Sequence, residues 1–387
     1  LMSKPLRVCL VSAAYRPYPS GLSEHVHNLA RHLIKLGQNV EILTTRFPGP
    51  DTSPPPVPVT RIGRSILIPL NHSYATLPVG LSLPIQVKTF LKNRCFDIIH
   101  CHGFFWPELS YWAIRFSSAV NIITTLTAGF RLHNRGSRLF QFLFRNQIAR
   151  VHGRIAISQR ARAALMPYLP GEYRIIPSGV DLDRFHPGVQ PYRSREPDRP
   201  TILFLGRLDK RKGLDILLRA LPLVLNSLPQ ARLVVIGNGP MAQPCKRLSE
   251  KLNISRAVEF IGKVAVEEIP RWYASCDLFC SPALGGETQG VVLLEAMASG
   301  VPVVASDIPG YDETIRPEIT GLLVPPGRPD LLADNILRVL KNPELRDQLV
   351  AGGLERVREF AWPLIARRTL DYYHELLAAC AKTWVRA

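Results

Sequence analysis

Two glutamates eight residues apart, Glu287 and Glu295, stand out in the apolar stretch 285–307. Gly290 opens a helical pattern over about 291–299 that is apolar on nearly every side. Backbone N–H groups at such a helix start have no partner within the helix and can bind an anion or hydroxyl groups. A carboxylate inside a buried helix is rare unless something pairs with it. Two interpretations are open: a ligand site, or a capping Glu287 and a Glu295 that meets a structural Arg or Lys.

A basic turn follows the apolar run 201–205, with the sequence Gly-Arg-Leu-Asp-Lys-Arg-Lys-Gly. Arg207 offers a fork that binds two oxygens at once, and Lys212 offers a point charge. Such a turn suits a diphosphate, although a solvated basic turn has the same composition. In open α/β sheets, ligands bind beyond the carboxyl ends of the strands. These two cations, like Lys263 and Glu287, follow predicted strands, and this convergence favours one anion-binding site.

The rest of the chain alternates short apolar runs with helical patterns, which indicates parallel α/β sheets in two similar halves. A segment with four prolines, 187–200, is the predicted linker. Another proline-rich segment, 48–58, is predicted as an extended loop. First-half strands are predicted at 7–13, 40–45, 96–101, 120–126, 154–158 and 175–180, with helices at 24–36, 84–93, 108–117, 137–152 and 159–166. Second-half strands are predicted at 201–206, 232–237, 258–261, 277–281 and 302–306, with helices between them and at 330–340, 344–358 and 364–380.

Composition sets the broad class of the protein. At about 150 residues per domain, 387 residues predict two to three domains. No window holds the roughly 18 consecutive apolar residues of a membrane span, and the apolar run 8–14 is too short for a signal peptide. Seven irregularly spaced cysteines favour a reducing compartment, with Cys276 and Cys280 as small apolar strand residues. Asp181 and Asp183 are interpreted as structural turn residues, with a metal site as the alternative.

The positive charge is concentrated in the first half. Residues 1–190 carry 22 lysines and arginines against 8 acidic residues, a net charge of +14, while residues 191–387 carry 26 against 23, a net +3. An anionic membrane, a phosphorylated substrate or nucleic acid would suit the first half. The helix predicted over 137–152 is both basic and aromatic, so it favours an anionic bilayer surface, with a core-facing helix as the alternative.

Several motifs together resemble the retaining glycosyltransferases of family 4, which have the GT-B fold. The similarity extends over nearly the whole chain and is of the phosphatidylinositol mannosyltransferase and diacylglycerol glucosyltransferase kind. The motifs that carry it are Ser20-Gly21-Leu22-Ser23-Glu24-His25-Val26, Pro177-Ser178-Gly179-Val180-Asp181, Gly206-Arg207 with Lys212-Gly213, Phe260-Ile261-Gly262, Cys276-Asp277 with Ser281-Pro282, and Glu287 with Glu295.

The resemblance implies two Rossmann-like domains with parallel sheets that face each other across a cleft. Residues 1–187 would bind the acceptor, residues 188–363 would bind the nucleotide-sugar, and a C-terminal helix at about 364–387 would cross back to the first domain. The implied reaction is retaining transfer of a hexose from a UDP-glucose-type or GDP-mannose-type donor to a hydroxyl of a lipid or lipid-linked glycan. The donor is a co-substrate, and no further cofactor, metal or nucleic acid is expected. The implied location is the cytoplasmic face of the membrane, with peripheral attachment.

The resemblance also implies roles for individual residues. Arg207 and Lys212 would bind the diphosphate, and Glu295 would bind the ribose hydroxyls. Glu287 would hold the sugar hydroxyls. The full implied donor set is Gly21, Arg207, Lys212, Lys263, Val264, Glu287, Thr288, Gln289, Gly290, Val291 and Glu295, and the catalytic set is Glu287, Arg207, Lys212 and Thr127. His25, His100 and His102 are placed on the acceptor side, although a strand-end histidine is also commonly packed or hydrogen-bonded.

Three positions depart from the family pattern. Ser20 replaces the first of two common glycines, Thr127 replaces a common histidine, and Gln289 replaces a common phenylalanine. The order Glu-Thr-Gln-Gly is similar to that of some membrane glycolipid glucosyltransferases.

Functions from other classes fit less of the sequence. A GT-B epimerase or phosphorylase would share the donor site, and a basic nucleic-acid-binding protein would explain the charge but not the two glutamates. A glycoside hydrolase would not need the cationic turn, and a nicotinamide dehydrogenase would need a Gly-x-Gly-x-x-Gly after the first strand.

Overall fold

The computed structural model describes residues 4–18, 20–47, 55, 57–70, 73–80, 82–103, 109–127 and 134–384. The chain divides into two compact units, one made of residues 1–179 with 362–387 and the other of residues 180–361. The second unit therefore begins eight residues before the predicted boundary at 188, because Val180 pairs with Ala361 in a β-bridge of that unit. The proline-rich segment 187–200 lies inside the second unit.

A sheet of eight strands forms the centre of the first unit. The strands are β1 (Arg7–Ser12), β2 (Asn39–Arg46), β3 (Val59–Leu70), β4 (Ser73–Val79), β5 (Ile98–His102), β6 (Val120–Thr125), β7 (Gly153–Ala156) and β8 (Arg174–Ile175). Their order is β4-β3-β2-β1-β5-β6-β7-β8. All neighbours are parallel except β3 and β4, which form an antiparallel pair at one edge. The run β3-β2-β1-β5-β6-β7 has the Rossmann order, in which the direction of strand addition reverses beside β1.

The second unit contains six parallel strands in the same doubly wound order. They are β9 (Thr201–Leu205), β10 (Arg232–Ile236), β11 (Val258–Gly262), β12 (Leu278–Ser281), β13 (Val303–Ser306) and β14 (Leu322–Val324), in the order β11-β10-β9-β12-β13-β14. The central strands read as near-continuous apolar runs because helices cover both faces of a parallel sheet. The order reverses between β9 and β12, and this is the position where ligands bind in such sheets.

Twelve helices of the described residues pack on these sheets. In the first unit they are α1 (Gly21–Lys35), α2 (Leu83–Lys92), α3 (Leu109–Phe116), α4 (Asn134–Ile148) and α5 (Gln159–Leu165). In the second unit they are α6 (Leu214–Ser227), α7 (Ala242–Lys251), α8 (Ile269–Ala274), α9 (Val291–Ala298), α10 (Pro329–Lys341) and α11 (Pro343–Val357). The last helix, α12 (Trp362–Trp384), returns to the first unit. No helix within the described ranges has the length and apolarity needed to cross a bilayer.

The return of the C-terminal helix is anchored by its apolar side chains. Trp362, Ile365, Leu370 and Tyr373 are buried in the same core cluster as Val8, Leu10 and Leu29 of β1 and α1. A Cβ at Gly179 would lie 2.6 Å from the Trp362 ring, so the indole packs directly on backbone. The predicted crossing of a C-terminal helix to the first domain is confirmed.

Some predicted elements differ from the structure. Helix α1 begins at Gly21 instead of Glu24, because Ser20 Oγ accepts a hydrogen bond from Ser23 N and caps the helix. The strand predicted at 175–180 is reduced to β8, and the helix predicted at 137–152 spans Asn134–Ile148. Strands β3, β4 and β14 were not predicted at all.

Candidate active site

Two loops of the second unit meet where the strand order reverses. One follows β9 and contains Arg207 to Gly213, and the other follows β12 and contains Glu287. Gly213 joins them, because its φ of +69° is left-handed and an added Cβ would lie 2.0 Å from the Pro282 carbonyl oxygen. Only glycine allows this approach. The Leu284 N–H also donates to the Arg211 carbonyl at 2.7 Å. The basic turn is therefore fixed against the segment that carries Glu287.

Asp209 organises the basic turn from inside. Its side chain is 3% exposed, and its Oδ2 accepts from Arg207 Nε at 3.0 Å and Nη2 at 2.8 Å. Its Oδ1 accepts from the Lys212 backbone N–H at 3.2 Å, which caps the short 3-10 turn Lys210–Lys212. The Arg207 guanidinium is thus held by a buried carboxylate while one third of its side chain stays exposed. This arrangement presents a fixed cation at the carboxyl end of β9.

Glu287 receives two further cations from the same turn. Its Oε1 lies 2.7 Å from Arg211 Nη1 and 2.9 Å from Lys212 Nζ. The Glu287 side chain is 10% exposed, and that of Lys212 is 17% exposed. Charge-assisted bonds in such a partly buried setting are stronger than those between exposed groups. The structure therefore brings together Lys212 and Glu287, which the sequence placed in one site.

The loop that presents Glu287 is held by buried contacts. Gly290 has a φ of +73°, and an added Cβ would lie 2.5 Å from the Tyr311 ring. The Tyr311 hydroxyl is hydrogen-bonded to Ser281 Oγ at 2.7 Å, and burial raises its pKa well above the ordinary value. Thr314 Oγ1 donates to the Gln289 carbonyl at 2.6 Å. Gln289 and Gly290 thus shape the start of α9.

Glu295 lies on α9, and its carboxylate faces a tyrosine. The Tyr273 hydroxyl donates to Glu295 Oε2 at 3.1 Å and lies 3.1 Å from the Val292 carbonyl. Tyr273 is fully buried, and burial together with the Glu295 charge raises its pKa well above the ordinary value. The phenol therefore stays protonated as a donor. The structure thus pairs Glu295 with a tyrosine, a partner that neither interpretation from the sequence named.

The remaining residues of the implied donor set lie on the same unit. Thr288 is half-buried beside Glu287, and Val291 is the first residue of α9. Lys263 is exposed and Val264 is half-buried after β11, which is the edge strand. Among the described contacts, Lys263 has no ion pair with Glu287. The predicted convergence on one anion-binding site is therefore seen as a contact for Lys212 of the basic turn but not for Lys263.

Two residues of the implied site belong to the first unit. Gly21 is the first residue of α1, and an added Cβ would meet no atom within 4 Å. Thr127 is exposed, two residues after the end of β6. Their roles toward the donor stay predictions.

The three histidines placed on the acceptor side are buried in the first unit. His100 has both ring nitrogens paired, with the Tyr373 hydroxyl at 2.6 Å and with Thr124 Oγ1 at 2.6 Å. His25 Nδ1 lies 2.9 Å from Ser178 Oγ. His102 is completely buried, with its ring 4.2 Å from that of His100. Burial lowers the pKa of His25 to about 4 and of His100 to about 3. These rings stay neutral at pH 7, and their acceptor role stays a prediction.

Asp181 and the two strand cysteines have structural surroundings. Asp181 Oδ1 accepts from the Asp183 backbone N–H at 3.1 Å, as in a turn. Cys276 and Cys280 are buried, and burial raises the pKa of both thiols. In the described part of the chain, no group of three His, Cys, Asp or Glu side chains is arranged for a metal ion.

Four residues of this site were missed from the sequence: Asp209, Arg211, Tyr273 and Tyr311. An acid inside an otherwise basic turn was a usable signal for Asp209, because it must pair with a neighbouring cation. The tyrosines gave no such signal, since they lie 22 and 21 residues from the groups they contact.

Comparisons with known proteins agree with this geometry. The description "Glycosyl transferases group 1" matches residues 191–356, and "Glycosyltransferase Family 4" matches residues 19–184. A phosphatidyl-myo-inositol mannosyltransferase from Mycobacterium leprae is 33% identical over 381 residues, which cover 98% of this chain and 100% of the relative. The chain belongs to glycosyltransferase family 4.

Two further comparisons refine the class. A GDP-mannose-dependent alpha-(1-6)-phosphatidylinositol monomannoside mannosyltransferase from Mycobacterium tuberculosis is 34% identical over 225 residues, covering 55% of this chain and 58% of the relative. A glycosyltransferase structure from Rickettsia africae superposes with a TM-score of 0.76 at 19% identity, covering 97% of this chain and 99% of that chain. The fold is GT-B, and the chain is a hexosyltransferase that uses a nucleotide-sugar.

Proposed function

We propose that this enzyme transfers mannose from GDP-mannose to the inositol hydroxyl of a phosphatidylinositol-type lipid. The observation that carries the proposal is the 33% identity, over 98% of this chain, with a relative named phosphatidyl-myo-inositol mannosyltransferase. The name of a second relative specifies GDP-mannose as its donor. The site at the β9 and β12 strand ends supplies the charges that such a donor requires.

In the proposed donor complex, two cations of the basic turn hold the diphosphate. Arg207, fixed by Asp209, binds two phosphate oxygens, and Lys212 adds a point charge. Glu295 accepts hydrogen bonds from the ribose hydroxyls while Tyr273 holds its carboxylate. Glu287 and the backbone N–H groups of 288–291 bind hydroxyls of the sugar. Lys263 and Val264 lie beside the base.

The proposed chemistry follows from the leaving group. The bond between the sugar C1 and the diphosphate oxygen breaks, and both bonding electrons stay on the phosphate. Arg207 and Lys212 stabilise this developing negative charge in a site whose cations are already oriented. The acceptor hydroxyl attacks from the same face and gives its proton to the departing phosphate oxygen, so the anomeric configuration is retained.

Substrate transfer provides the first test. The purified enzyme is incubated with GDP-mannose or UDP-glucose and with vesicles containing phosphatidylinositol, phosphatidylglycerol or diacylglycerol, and lipids are analysed by mass spectrometry. We expect one added hexose on phosphatidylinositol with GDP-mannose. The yield should be about 10- to 150-fold lower with Arg207→Ala or Glu295→Ala, since each removes charged contacts worth about 1.5–3 kcal/mol. Transfer from UDP-glucose to diacylglycerol would replace this proposal with the glucosyltransferase alternative suggested by Glu-Thr-Gln-Gly.

We further propose that α4 attaches the enzyme to an anionic membrane at its cytoplasmic face. Leu139, Phe142 and Leu143 are 58%, 64% and 53% exposed, while Phe140 and Phe144 face the core. The helix sequence contains three arginines and no acidic residue. Apolar side chains can enter the headgroup region while each arginine gains about 1 kcal/mol near the anionic surface.

Vesicle co-sedimentation tests this attachment. We expect Leu139→Ser/Phe142→Ser/Leu143→Ser to lower binding to phosphatidylinositol-containing vesicles about tenfold, because the variant removes the apolar face that enters the bilayer. The matched control is Leu223→Ser/Ile319→Ser, which removes apolar side chains 44% and 54% exposed on the second unit. Equal binding by both variants and the wild type would contradict a membrane role for α4.

A further inference from the structure

One carboxylate oxygen in the proposed donor site is shared by two cations. Glu287 Oε1 lies 2.7 Å from Arg211 Nη1 and 2.9 Å from Lys212 Nζ. In the donor complex Lys212 is assigned to the diphosphate, which carries more negative charge than a carboxylate. Lys212 must therefore leave Glu287 or divide its contacts when the donor arrives. The contacts that Glu287 keeps after Lys212 has moved decide whether its carboxylate stays in place.

Arg211 is held at several points. Its Nη1 donates to the Gly286 carbonyl as well as to Glu287 Oε1, both at 2.7 Å. Its Nη2 lies 3.7 Å from Asp209 Oδ2. An added Cβ at Gly286 would lie 2.7 Å from Arg211 Cδ, so the aliphatic stem packs on the same loop. A planar guanidinium with several acceptors is fixed in one orientation.

Lys212 is held less firmly by its side chain. Among the described residues, its ammonium pairs with the single acceptor Glu287 Oε1, and its backbone N–H is fixed by Asp209. A lysine has a flexible four-carbon stem and donors that rotate. The ammonium can therefore change acceptors while the backbone of the turn stays in place.

We propose that Lys212 stays paired with Glu287 until the donor binds and then transfers to the diphosphate. Arg211 is the positioning residue that holds Glu287 after this transfer. Arg211 then neutralises a carboxylate that would otherwise be left partly buried and unpaired, which is costly. Both cations contact Oε1, so Oε2 is the oxygen directed to the sugar hydroxyls. This inference rests on the proposed donor site.

The exchange predicts a specific rescue in a double-variant cycle. In Arg211→Gln, release of Lys212 would leave Glu287 without a cation, so we expect GDP to bind roughly tenfold more weakly. In Arg211→Gln/Glu287→Gln, position 287 carries no charge that could be left unpaired. The GDP affinity of this double variant should therefore lie within about threefold of that of Glu287→Gln alone. An arginine that binds phosphate itself, or one that only maintains the loop, would give no rescue.

The experiment is titration calorimetry with GDP, with UDP in parallel, on the full chain. The matched control is Lys210→Gln, which removes the same charge from the same turn. The Lys210 ammonium pairs with Asp215, and the Lys210 side chain is 65% exposed. We expect Lys210→Gln to change GDP affinity by less than about twofold. Thermal melts of each variant check the fold.

Failure of the inference is distinguishable from failure of the donor site. If the wild type binds GDP, Arg207→Ala weakens it and the double variant shows no rescue, the donor site stands and the role of Arg211 is overturned. If neither nucleotide binds the wild type, or if Arg207→Ala has no effect, the donor site is wrong and this inference falls with it.

Discussion

The Tyr273 hydroxyl donates a hydrogen bond to Glu295 Oε2 at 3.1 Å, from a ring that is completely buried. This contact joins α8 to α9 and fixes the one carboxylate of the apolar helix. The same hydroxyl lies 3.1 Å from the Val292 carbonyl in the first turn of α9. Tyr273 therefore supports both the start of the helix and the group assigned to the ribose.

Removing this hydroxyl should weaken donor binding more than it weakens the fold. We expect Tyr273→Phe to cost about 1–2 kcal/mol of stability, since one buried donor is lost and the ring still fills its site. Because Glu295 Oε2 then loses the phenol donor that orients it, GDP affinity should fall about tenfold in calorimetry. Tyr192→Phe is the control, as that ring is 44% exposed and stacks on Trp272. An unchanged GDP affinity in Tyr273→Phe would show that the Tyr273 hydroxyl does not support donor binding.

Asp209 is expected to act through Arg207. In Asp209→Asn the guanidinium loses a charged acceptor at 2.8 Å, so Arg207 is held less firmly toward the phosphates. We expect kcat/KM for the proposed mannosyl transfer to fall at least tenfold. Asp330→Asn is a matched control, because Arg328 and Asp330 form the same two-residue spacing with side chains 55% and 51% exposed. Equal loss of activity in both variants would contradict the assignment.

Gly290 should not tolerate a side chain. In Gly290→Ala, the left-handed φ of +73° adds about 1–2 kcal/mol of strain, and the new methyl would lie 2.5 Å from the Tyr311 ring. We expect a total loss of about 3 kcal/mol or more in chemical denaturation. Gly262→Ala has a similar φ of +85° with no atom within 4 Å of the added Cβ, so it measures the backbone strain alone. Similar losses for both variants would show that the ring contact has no cost.

The sequence predicts the parallel sheets well because buried central strands are apolar runs bounded by turns. It predicts β9 and β12 within two residues, and with them the positions of Arg207 and Glu287. The β3–β4 pair was missed, because an antiparallel edge pair does not follow the strand-helix alternation. Strand β14 was missed because three residues carry too little pattern.

The partners of the charged groups could not be predicted from the sequence. Local spacing brings Arg207 to Asp209, but only the fold brings Arg211 and Lys212 to Glu287, 76 and 75 residues away. His100 is covered by Tyr373 of α12, which lies 273 residues further along the chain. Such contacts follow from topology, which periodicity alone does not supply.

The buried histidines of the first unit predict a stability that falls in mild acid. An unfolded histidine takes up a proton below its ordinary pKa of about 6.5, whereas folded His25 does so at about 4 and folded His100 at about 3. Between these values the unfolded state binds more protons, so the free energy of unfolding decreases as the pH falls. Each such histidine contributes up to about 1.4 kcal/mol per pH unit. Denaturant titrations at pH 7.5, 6.0 and 5.0 measure the slope.

His25→Gln isolates one of these contributions. A glutamine can still form a hydrogen bond with Ser178 Oγ but takes up no proton. Between pH 6.5 and 4.5 the free energy of unfolding should therefore fall less steeply with pH than in the wild type, by up to about 1.4 kcal/mol per pH unit. His186→Gln is the control, because it makes the same replacement at an exposed position outside the core. A His25→Gln slope equal to that of the wild type would mean that His25 gains its proton equally in both states, and that its burial against Trp362 does not depend on the neutral ring.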